Sequence, residues 1–426
     1  MSISSRDTNC IWHPYTQMQS APPPVAIVKA KGAKLWSESG ICYIDGIASW
    51  WTNIHGHGNE SIVKAIATQA SVLDHLIFAG FTHEPAVKLA ERLLEILPSE
   101  QSRVFYSDNG STAVEVALKM AFQFWTNRGQ PRKKIIALHE SYHGDTFGAM
   151  AVSGRGAFTK PFETFLFDVI YIDAPLRGFK DKCLHELRKV ISDTKNEIAA
   201  FIYEPLVQGT AGMRMMDPGL LEEMISLCKS NEILCIADEV MTGFGRTGKM
   251  FAGDYLSVQP DLICLSKGLT GGVMALGVTS CSLKIYEAFL SDDRMKTFFH
   301  GHSFTANPIA CAAAIASLEL FETENTFEKI QSISAAHTAF AESVKHMPGV
   351  KEVRVLGVIL ALEIQTDTSS SYFNPVASRA YSYFMEQGIL LRPLGNIIYI
   401  LPPYCIQQAD LEYIYQTIKA FINSEQ

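Results

Sequence analysis

The sequence lacks the segments that commonly mark a membrane, secreted or nucleic-acid-binding protein. No apolar run approaches the roughly 18 residues that a membrane span needs, and no block of Lys or Arg stands out. The formal net charge is −8, with 36 Lys and Arg against 44 Asp and Glu. The opening stretch, MSISSRDTNCIWHPYTQM, has neither a cationic leader nor the apolar core of a signal peptide. We therefore expect a cytoplasmic protein with no nucleic-acid or membrane partner.

The cysteine and histidine patterns give no sign of a disulfide framework or of a metal site. The nine cysteines are scattered, without a C-x-x-C pair, and most sit in apolar runs typical of reduced, buried thiols. Several histidines occur in nearby pairs: His55/His57, His139/His143 and His300/His302. No third ligand follows at a recognisable spacing, so we predict no metal.

Apolar segments of strand length alternate with helical segments over much of the chain. KKIIALHE, EIAAFIYEP, ILCIADEV and DLICLSKG resemble buried strands, and TAVEVALKMAFQFW and GLLEEMISLCKSN resemble helices. This alternation indicates an α/β domain around a mostly parallel sheet. After about residue 307 a long helix, NPIACAAAIASLELFE, leads into a smaller α+β domain.

The expected domain boundaries follow from the end of the strand–helix alternation at about residue 307. We expect a large domain over 49–306 and a small C-terminal domain, with its connecting helix, over 307–426. Residues 1–48 are expected to pack with the small domain, and within them the segment 20–28, SAPPPVAIV, is predicted to be a proline-rich connector.

Two charged residues follow buried strands and are candidates for chemistry. Lys267 closes DLICLSKG, and a desolvated lysine amine is a nucleophile that can form a Schiff base. Asp238 closes ILCIADEV, where a carboxylate could keep a pyridine nitrogen protonated. Each also has a plainer interpretation, a lysine that emerges into solvent and an aspartate that caps a turn. Glu239, next along the strand, should point the other way.

Two further strand ends carry weaker signals. Asn109-Gly110-Ser111-Thr112 precedes a helix, whose first N–H groups could bind a phosphate. Thr112 and Glu115 also have the spacing of a capping box, which would explain the threonine without a ligand. Tyr142, after KKIIALHE, could stack on a planar cofactor or could simply pack. The turn at 109–112, Tyr142, Asp238 and Lys267 follow one another along the chain. Together they indicate a cofactor site more strongly than any one of them does alone.

A glycine-rich stretch, GFGRTG at 243–248, offers a competing interpretation. It matches the G-x-G-x-x-G pattern of dinucleotide-binding proteins and follows a strand. The segment behind it, KMFAGDYLSVQP, lacks a convincing helix, so the required strand–turn–helix context is missing. A nicotinamide-dependent dehydrogenase is therefore the least favoured alternative.

Longer segments resemble the class III aminotransferases of pyridoxal-phosphate fold type I. The matching segments are FYSDNGSTAVEVALKMA, SYHGDTFGAM, IYEPLVQGTAGM and IADEVMTGFGRTGKMFA with PDLICLSKGLTGG. The resemblance runs from about residue 11 to 420. It implies a pyridoxal 5′-phosphate cofactor, a large domain with a mostly parallel sheet, a smaller α+β domain, and an active homodimer with shared sites.

The resemblance also implies roles for individual residues. Lys267 would form a Schiff base with the cofactor, Asp238 would bind its ring nitrogen, and Tyr142 would stack on the ring. These three form the expected catalytic set. The implied phosphate contacts are Gly110, Ser111, Thr112 and, toward the neighbouring subunit's cofactor, Ser303. The implied substrate contacts are Tyr15, Trp50, Trp51, Gly301, His302 and Arg392.

The substrate contacts carry more specific expectations. Arg392 would clamp a carboxylate, since a guanidinium suits bidentate recognition, although a surface ion pair is the alternative. Of Trp50 and Trp51 only one should face the ligand if the backbone is extended, and we favour Trp51. Glu204 could pair with Arg392 when no carboxylate is bound.

Within the family, WHPYTQM, ASWWTNIHGH, HGDTFGAM, GMRMM and LLRPLGNIIYILPPY resemble the members that make 7,8-diaminononanoate from 8-amino-7-oxononanoate in biotin biosynthesis. This implies ping-pong transfer, with S-adenosylmethionine as amino donor. His302 stands where members using that donor often have proline, and some relatives with the His-Ser form use lysine, so lysine stays an alternative donor. Another omega-amino-acid aminotransferase or an aminomutase of the family is a further alternative.

Overall fold

The computed structural model describes residues 1–178, 180–194, 196–367 and 372–425 of the chain. The first part holds a short helix, three antiparallel strands and one kinked helical turn. They are α1 (Ile3–Asp7), β1 (Ile27–Lys31), β2 (Lys34–Ser37), β3 (Cys42–Asp45) and α2 (Ala48–Trp51). The connector predicted over 20–28 ends sooner than expected, because the chain already pairs with β2 from Ile27 onward.

A seven-stranded sheet with flanking helices forms the middle of the described chain. Its elements are α3 (Glu60–Val72), α4 (Glu84–Ile96), β4 (Gln101–Ser107), α5 (Gly110–Asn127), β5 (Lys134–Leu138), α6 (Phe147–Val152), β6 (Ile170–Ile172), α7 (Lys180–Thr194), β7 (Ile198–Tyr203), β8 (Val207–Gln208), β9 (Arg214–Met215), α8 (Pro218–Ser230), β10 (Leu234–Asp238), β11 (Leu262–Leu265), β12 (Gly277–Ser282) and α9 (Leu283–Glu287). The strand order is β4-β12-β11-β10-β7-β5-β6. Strands β8 and β9 form a separate two-stranded hairpin.

The direction of the strands confirms the predicted fold class. Strands β11, β10, β7, β5 and β6 pair in parallel, and β12 runs antiparallel to both of its neighbours. All six residues of β7 and all five of β10 are buried, as expected for strands covered by helices on both faces. Asp238 and Lys267 therefore come at the same edge of the sheet, beyond the carboxyl ends of β10 and β11.

Helix α5 shows how the sequence pattern fixes the packing. The apolar residues that the 3.6-residue period assigns to one face are Val114, Ala117, Leu118, Ala121 and Trp125, and each is at most 2 % exposed. Burying a side chain as large as that of Val114 or Leu118 stabilises the fold by roughly 1.5–3 kcal/mol. The indole N–H of Trp125 donates to the carbonyl oxygen of Ala199 at 2.9 Å, so the buried polar atom is satisfied.

The C-terminal part contains a second, antiparallel sheet covered by helices. Its elements are α10 (Pro308–Thr323), α11 (Thr326–Val344), β13 (Val350–Leu356), β14 (Ile359–Ile364), α12 (Val376–Glu386), β15 (Ile389–Leu390), β16 (Ile397–Ile400) and α13 (Gln408–Ser424). Strands β13, β14 and β16 form the sheet. Strand β15 instead pairs in parallel with β3, with Ile389 opposite Ile44. The boundaries at residues 48 and 306 stay predictions.

None of the described helices combines the length and apolar character required to cross a membrane.

Candidate active site

Lys267 lies where β11 gives way to a short 3₁₀ helix, Lys267–Thr270. Its backbone is left-handed, with φ 46°, a conformation that a non-glycine residue keeps only when its surroundings enforce it. Its Nζ lies 4.9 Å from the centroid of the Trp51 ring. Burial lowers the pKa of the Lys267 ammonium to about 8, although the charges of Asp238 and Glu204 oppose the shift. Near neutral pH the neutral, nucleophilic form is therefore a minority, but a much larger one than in an ordinary lysine.

Asp238 ends β10 with its carboxylate 5 % exposed and firmly oriented. Oδ1 accepts the N–H of Val240 at 3.1 Å, and Oδ2 lies 2.7 Å from Nδ1 of His143. The His143 backbone N–H donates to the Ser153 hydroxyl at 2.9 Å, which holds the residue in place. This histidine was missed as a site residue in the sequence.

Glu239 turns away from Lys267, as predicted. Its carboxylate accepts hydrogen bonds from the Thr242 hydroxyl at 2.6 Å and from the N–H groups of Ala252 and Gly253 at 3.1 and 2.7 Å. Burial raises the pKa of Glu239 to about 7. The residue thus secures the loop after β10 and leaves the cavity side to Asp238.

The Asn109–Thr112 turn lies between β4 and α5, but the predicted capping box was wrong. The N-cap is Asn109, whose side chain accepts the N–H of Thr112 at 3.0 Å, while the Thr112 hydroxyl accepts the N–H of Asn109 at 3.0 Å. Glu115 instead accepts from the Thr146 hydroxyl and from two backbone N–H groups. The helix begins one turn earlier than the Thr112–Glu115 spacing implied.

The observed cap determines which N–H and hydroxyl groups of the turn can bind a phosphate. The Thr112 hydroxyl is engaged in the cap and also donates to the carbonyl oxygen of Asn109 at 2.9 Å. Helical geometry leaves the N–H groups of Gly110 and Ser111 without an intrahelical acceptor, and both residues line the cavity. A Cβ on Gly110 would lie 2.7 Å from Val240. The turn is therefore a close-fitting helix N-terminus whose N–H groups could bind an anion.

Tyr142 stands between two neighbouring cavities and connects several predicted residues. Its backbone N–H donates to Glu204 Oε1 at 3.0 Å, and its hydroxyl lies 3.2 Å from that of Tyr15. The Tyr15 hydroxyl also donates to Asp145. Burial and the bond to Asp145 raise the pKa of Tyr15 to about 12. Asp145 is a second polar residue that the sequence interpretation missed.

Glu204 and Arg392 do not form the pair that the sequence suggested. Both carboxylate oxygens of Glu204 accept backbone N–H groups, from Tyr142 and from Gly209, each at 3.0 Å. Burial raises the pKa of Glu204 to about 7, opposed by the charge of His143. The Arg392 guanidinium lies instead over the Trp50 ring, 5.2 Å from its centroid.

Both adjacent tryptophans contact predicted site residues. The Trp50 ring meets the Tyr15 ring edge-on at 5.6 Å, and the Trp51 ring lies under Lys267 while its N–H donates to the Tyr399 hydroxyl at 3.0 Å. The extended backbone that we assumed here was wrong, but Trp51 lines the Lys267 cavity and Trp50 does not, so which ring faces a ligand stays a prediction. The chain here is a kinked helical turn with left-handed φ values.

The cavity around Lys267 has a volume of about 410 Å³, within the usual range for small-molecule sites. Its lining includes Trp51, Gly110, Ser111, Tyr142, His143, Glu204, Asp238 and Lys267. A neighbouring cavity of about 320 Å³ shares Tyr142 and Gly144 and extends to Asp145, Phe158 and Asn396. The structure thus brings together most of the predicted cofactor residues.

Gly301, His302 and Ser303 lie apart from this group. Gly301 and Ser303 are exposed, and His302 is linked to Asp108 at 3.4 Å and to His300 at 3.0 Å, the latter between their Nε2 atoms. None of the three lines the Lys267 cavity. Their predicted roles stay predictions.

The glycine-rich stretch at 243–248 does not form a dinucleotide site. It leads into a short 3₁₀ helix, Ala252–Tyr255, rather than opening an α-helix. The Arg246 guanidinium is buried and donates to the carbonyl oxygen of Pro402 at 2.9 Å. Within the described residues, no cluster of three or more potential metal ligands is found.

The side chains around Lys267 fit pyridoxal 5′-phosphate. They supply a desolvated amine, a fixed carboxylate for the ring nitrogen, an aromatic ring, and a helix N-terminus at which a Cβ in place of the Gly110 hydrogen would clash. These are the groups that bind this cofactor's carbonyl, ring and phosphate. The carboxylate beyond β10 and the amine beyond β11 line one cavity, as expected at the carboxyl ends of neighbouring parallel strands.

Comparisons with known proteins agree with the geometry. The family model "Aminotransferase class-III" matches residues 15–422. The chain is 47 % identical, over 96 % of its length and 97 % of the relative's, to the adenosylmethionine-8-amino-7-oxononanoate aminotransferase of Synechococcus elongatus. It is 40 % identical to the enzyme of that name from Geobacter sulfurreducens, over 98 % and 96 % of the two chains.

Solved structures give the same result. The crystal structure of adenosylmethionine-8-amino-7-oxononanoate aminotransferase from Methanocaldococcus jannaschii superposes with a TM-score of 0.93, at 36 % identity over 98 % of both chains. An omega transaminase from Pseudomonas jessenii in complex with PMP superposes at 0.91, with 26 % identity over 98 % and 96 % of the chains. The chain therefore belongs to the class III aminotransferases, enzymes that depend on pyridoxal 5′-phosphate.

Proposed function

We propose that this chain transfers an amino group to 8-amino-7-oxononanoate, giving 7,8-diaminononanoate for biotin biosynthesis, with S-adenosylmethionine as the amino donor. The names of relatives that are 47 % and 40 % identical over nearly the whole chain support the proposal. The single structural observation that carries it is the arrangement of Arg392 against Trp50 beside the Trp51–Lys267 contact. This arrangement suits an acceptor with a carboxylate at one end and a ketone along an alkyl chain.

Arg392 would bind the carboxylate of the acceptor, and the aromatic rings would bind its alkyl chain. The guanidinium offers paired N–H donors to a carboxylate, and its position over Trp50 fixes where that carboxylate lies. The rings of Trp50, Tyr15 and Trp51 present apolar surface to the alkyl chain. The reacting carbon then lies near Lys267, because Trp51 contacts the lysine directly.

Lys267 and Asp238 carry the proton and charge chemistry. When bound, pyridoxal 5′-phosphate supplies a carbonyl that takes up the amino group and a ring that accepts electrons from the donor carbon. Lys267 Nζ would hold the cofactor at rest and, when free, would take the proton from the donor carbon and deliver it to the cofactor's carbonyl carbon. The Asp238 carboxylate, held by His143 and the Val240 N–H, keeps negative charge beside the ring nitrogen. The two substrates should react in turn, with ping-pong kinetics.

The second cavity supports a bulky donor. It adds about 320 Å³ beside the Lys267 cavity and is bordered by Tyr142, Asp145 and Phe158. A lysine donor would leave much of that space to water, whereas S-adenosylmethionine could occupy it.

A donor panel tests the proposal. With 8-amino-7-oxononanoate as acceptor, we expect S-adenosylmethionine to support formation of 7,8-diaminononanoate and lysine to support little. The reverse preference would assign lysine as the donor. Turnover without any donor would indicate an aminomutase, and a colourless protein that binds NAD(H) would contradict the whole assignment.

Replacing Arg392 by alanine tests the carboxylate contact. We expect the KM for 8-amino-7-oxononanoate to rise about 10- to 100-fold, because a hydrogen bond to a charged group contributes about 1.5–3 kcal/mol. Arg392→Lys should recover only part of the loss, since an ammonium cannot form the paired contact. Arg379→Ala is the matched control, because Arg379 is exposed and pairs with Glu425. An unchanged KM in Arg392→Ala would rule out the contact.

The working assembly is proposed to be a cytoplasmic homodimer. The exposure of Gly301 and Ser303 is consistent with a loop that completes a second copy's site. The Ser303 hydroxyl would then reach the phosphate of the partner subunit's cofactor, with Gly301 and His302 along its substrate path. The division into segments 1–48, 49–306 and 307–426 is part of the same proposal.

A further inference from the structure

The turn that carries Trp50 and Trp51 is unusual in its backbone. Ala48, Ser49 and Trp51 have φ values of 48°, 60° and 65°, and none is glycine. Ser49 combines φ 60° with ψ −76°, close to a rare and strained γ-turn. Such conformations persist only where surrounding contacts enforce them, and they cluster at binding sites. A specific support for this turn is therefore expected nearby.

The carboxylate of Asp45, at the end of β3, provides that support. Asp45 is fully buried. Both of its oxygens accept the Ser49 N–H, at 2.9 and 2.8 Å. Oδ2 also accepts the Ser49 hydroxyl at 3.0 Å, and Oδ1 accepts the Ile47 N–H at 3.3 Å. A buried carboxylate is costly unless its oxygens are satisfied, and most of these donors come from the strained turn.

His57 holds Asp45 from the other side. Its Nε2 lies 2.9 Å from Asp45 Oδ2, and its Nδ1 lies 3.2 Å from the Asn53 amide nitrogen. Because the amide nitrogen can only donate, Nδ1 accepts and Nε2 carries the proton toward Asp45. The backbone of His57 is paired in both directions with Gly32, at 2.9 and 2.8 Å. The support is thus anchored to the hairpin between β1 and β2.

We propose that Asp45, held by His57, is a positioning residue that fixes the Trp50–Trp51 turn and so sets how tightly the acceptor binds. An extended strand would point the two rings in opposite directions. The turn lets Trp50 face Arg392 and Tyr15 while Trp51 lies under Lys267. Neither Asp45 nor His57 touches the reacting atoms in this account. The inference rests on the proposed function only for the choice of acceptor.

The test begins with Asp45→Asn, which keeps the shape of the side chain. The amide would place N–H donors where Oδ2 now accepts from Ser49 and His57. We expect the KM for 8-amino-7-oxononanoate to rise about 10- to 100-fold, the range that small misplacements of positioning groups produce. The kcat and the affinity for pyridoxal 5′-phosphate should change far less. Asp410→Asn, which removes an ion pair with Lys34 on β2, is the control.

Two further variants separate positioning from a general loss of structure. Ser49→Gly in the Asp45→Asn background should bring the KM back toward that of the parent, because glycine adopts a φ near 60° without strain. His57→Phe should raise the KM, whereas His57→Gln, which keeps an N–H donor, should raise it less. No recovery by Ser49→Gly, or loss of cofactor affinity in step with KM, would overturn the proposal.

A measurement without substrate keeps this inference distinct from the proposed function. Amide hydrogen exchange over residues 46–54 should be faster in Asp45→Asn than in the parent chain and than in Asp410→Asn. If the parent chain does not convert 8-amino-7-oxononanoate, the proposed function fails while faster exchange still supports the role of Asp45. Unchanged exchange in Asp45→Asn would overturn that role whatever the substrate.

Discussion

Lys267→Ala is expected to lower kcat by about 10⁴-fold or more, because the chain loses its proton carrier, and general acid–base catalysis alone contributes about 10²–10⁴-fold. The pKa of Lys267, lowered to about 8 by burial, is what suits its amine to this work. Both half-reactions should slow, since the lysine serves each of them. Stopped-flow absorbance of the bound cofactor, with donor and acceptor added separately, measures this.

The matched control for this change is Lys88→Ala, which removes an exposed lysine paired with Glu319. It should leave both half-reactions near the parent rates. Lys267→Ala should still bind cofactor through the phosphate turn and Asp238, so the loss is one of chemistry rather than of binding. Turnover at the parent rate in Lys267→Ala would contradict the assignment.

Asp238→Asn is expected to lower kcat by about 10²–10³-fold, the effect of removing one preorganised electrostatic contact. The amide cannot carry the negative charge that keeps the ring nitrogen protonated, and the ring becomes a weaker electron acceptor. His143 would lose its anionic partner, 2.7 Å away. The kcat and the visible spectrum of the bound cofactor together measure the change.

Two variants make the interpretation specific to the ring nitrogen. Asp238→Ala should be partly restored by N-methylated pyridoxal phosphate, whose ring charge does not depend on a carboxylate. Asp261→Asn is the control, since Asp261 is also a buried carboxylate that accepts a backbone N–H, from Cys235 at 2.8 Å. A loss in Asp261→Asn equal to that in Asp238→Asn would point to folding instead of chemistry.

The sequence predicted which residues lie together around Lys267, because the ends of the strands determine it. Parallel strands end at one edge of the sheet, so residues that close two neighbouring strands lie close together. Residue Asp238 lies opposite Cys264 in the β10–β11 register, which brings it near Lys267. The same rule places Tyr142 and the Gly110–Ser111 turn at this edge of the sheet. It requires no knowledge of side-chain contacts.

Strand β12 was not predicted, because its polar composition does not indicate a buried strand. All six residues of GVTSCS are buried, yet three are Ser or Thr. The Thr279 hydroxyl donates to the carbonyl oxygen of Ala113 at 2.7 Å, and that of Ser280 to Gln101 Oε1 at 2.7 Å. Polar side chains satisfied in this way can lie in a central strand, but their partners are far away in the sequence.

The substrate side could be predicted only in part for a similar reason. Tyr15 and Asp145 are 130 positions apart, and His143 meets Asp238 across 95 positions. The turn at Trp50 depends on left-handed non-glycine residues, which no local propensity favours. Such features arise from long-range contacts, and Asp145 and His143 are the residues that the sequence interpretation missed.

The central claim is that Lys267 is the amine that holds pyridoxal 5′-phosphate. Borohydride reduction of the cofactor-loaded chain, followed by peptide mass mapping, tests it most directly. We predict a single cofactor adduct, on the peptide that contains Lys267, and no adduct after reduction of Lys267→Ala. An adduct on another lysine, or an undiminished adduct in Lys267→Ala, would contradict the account.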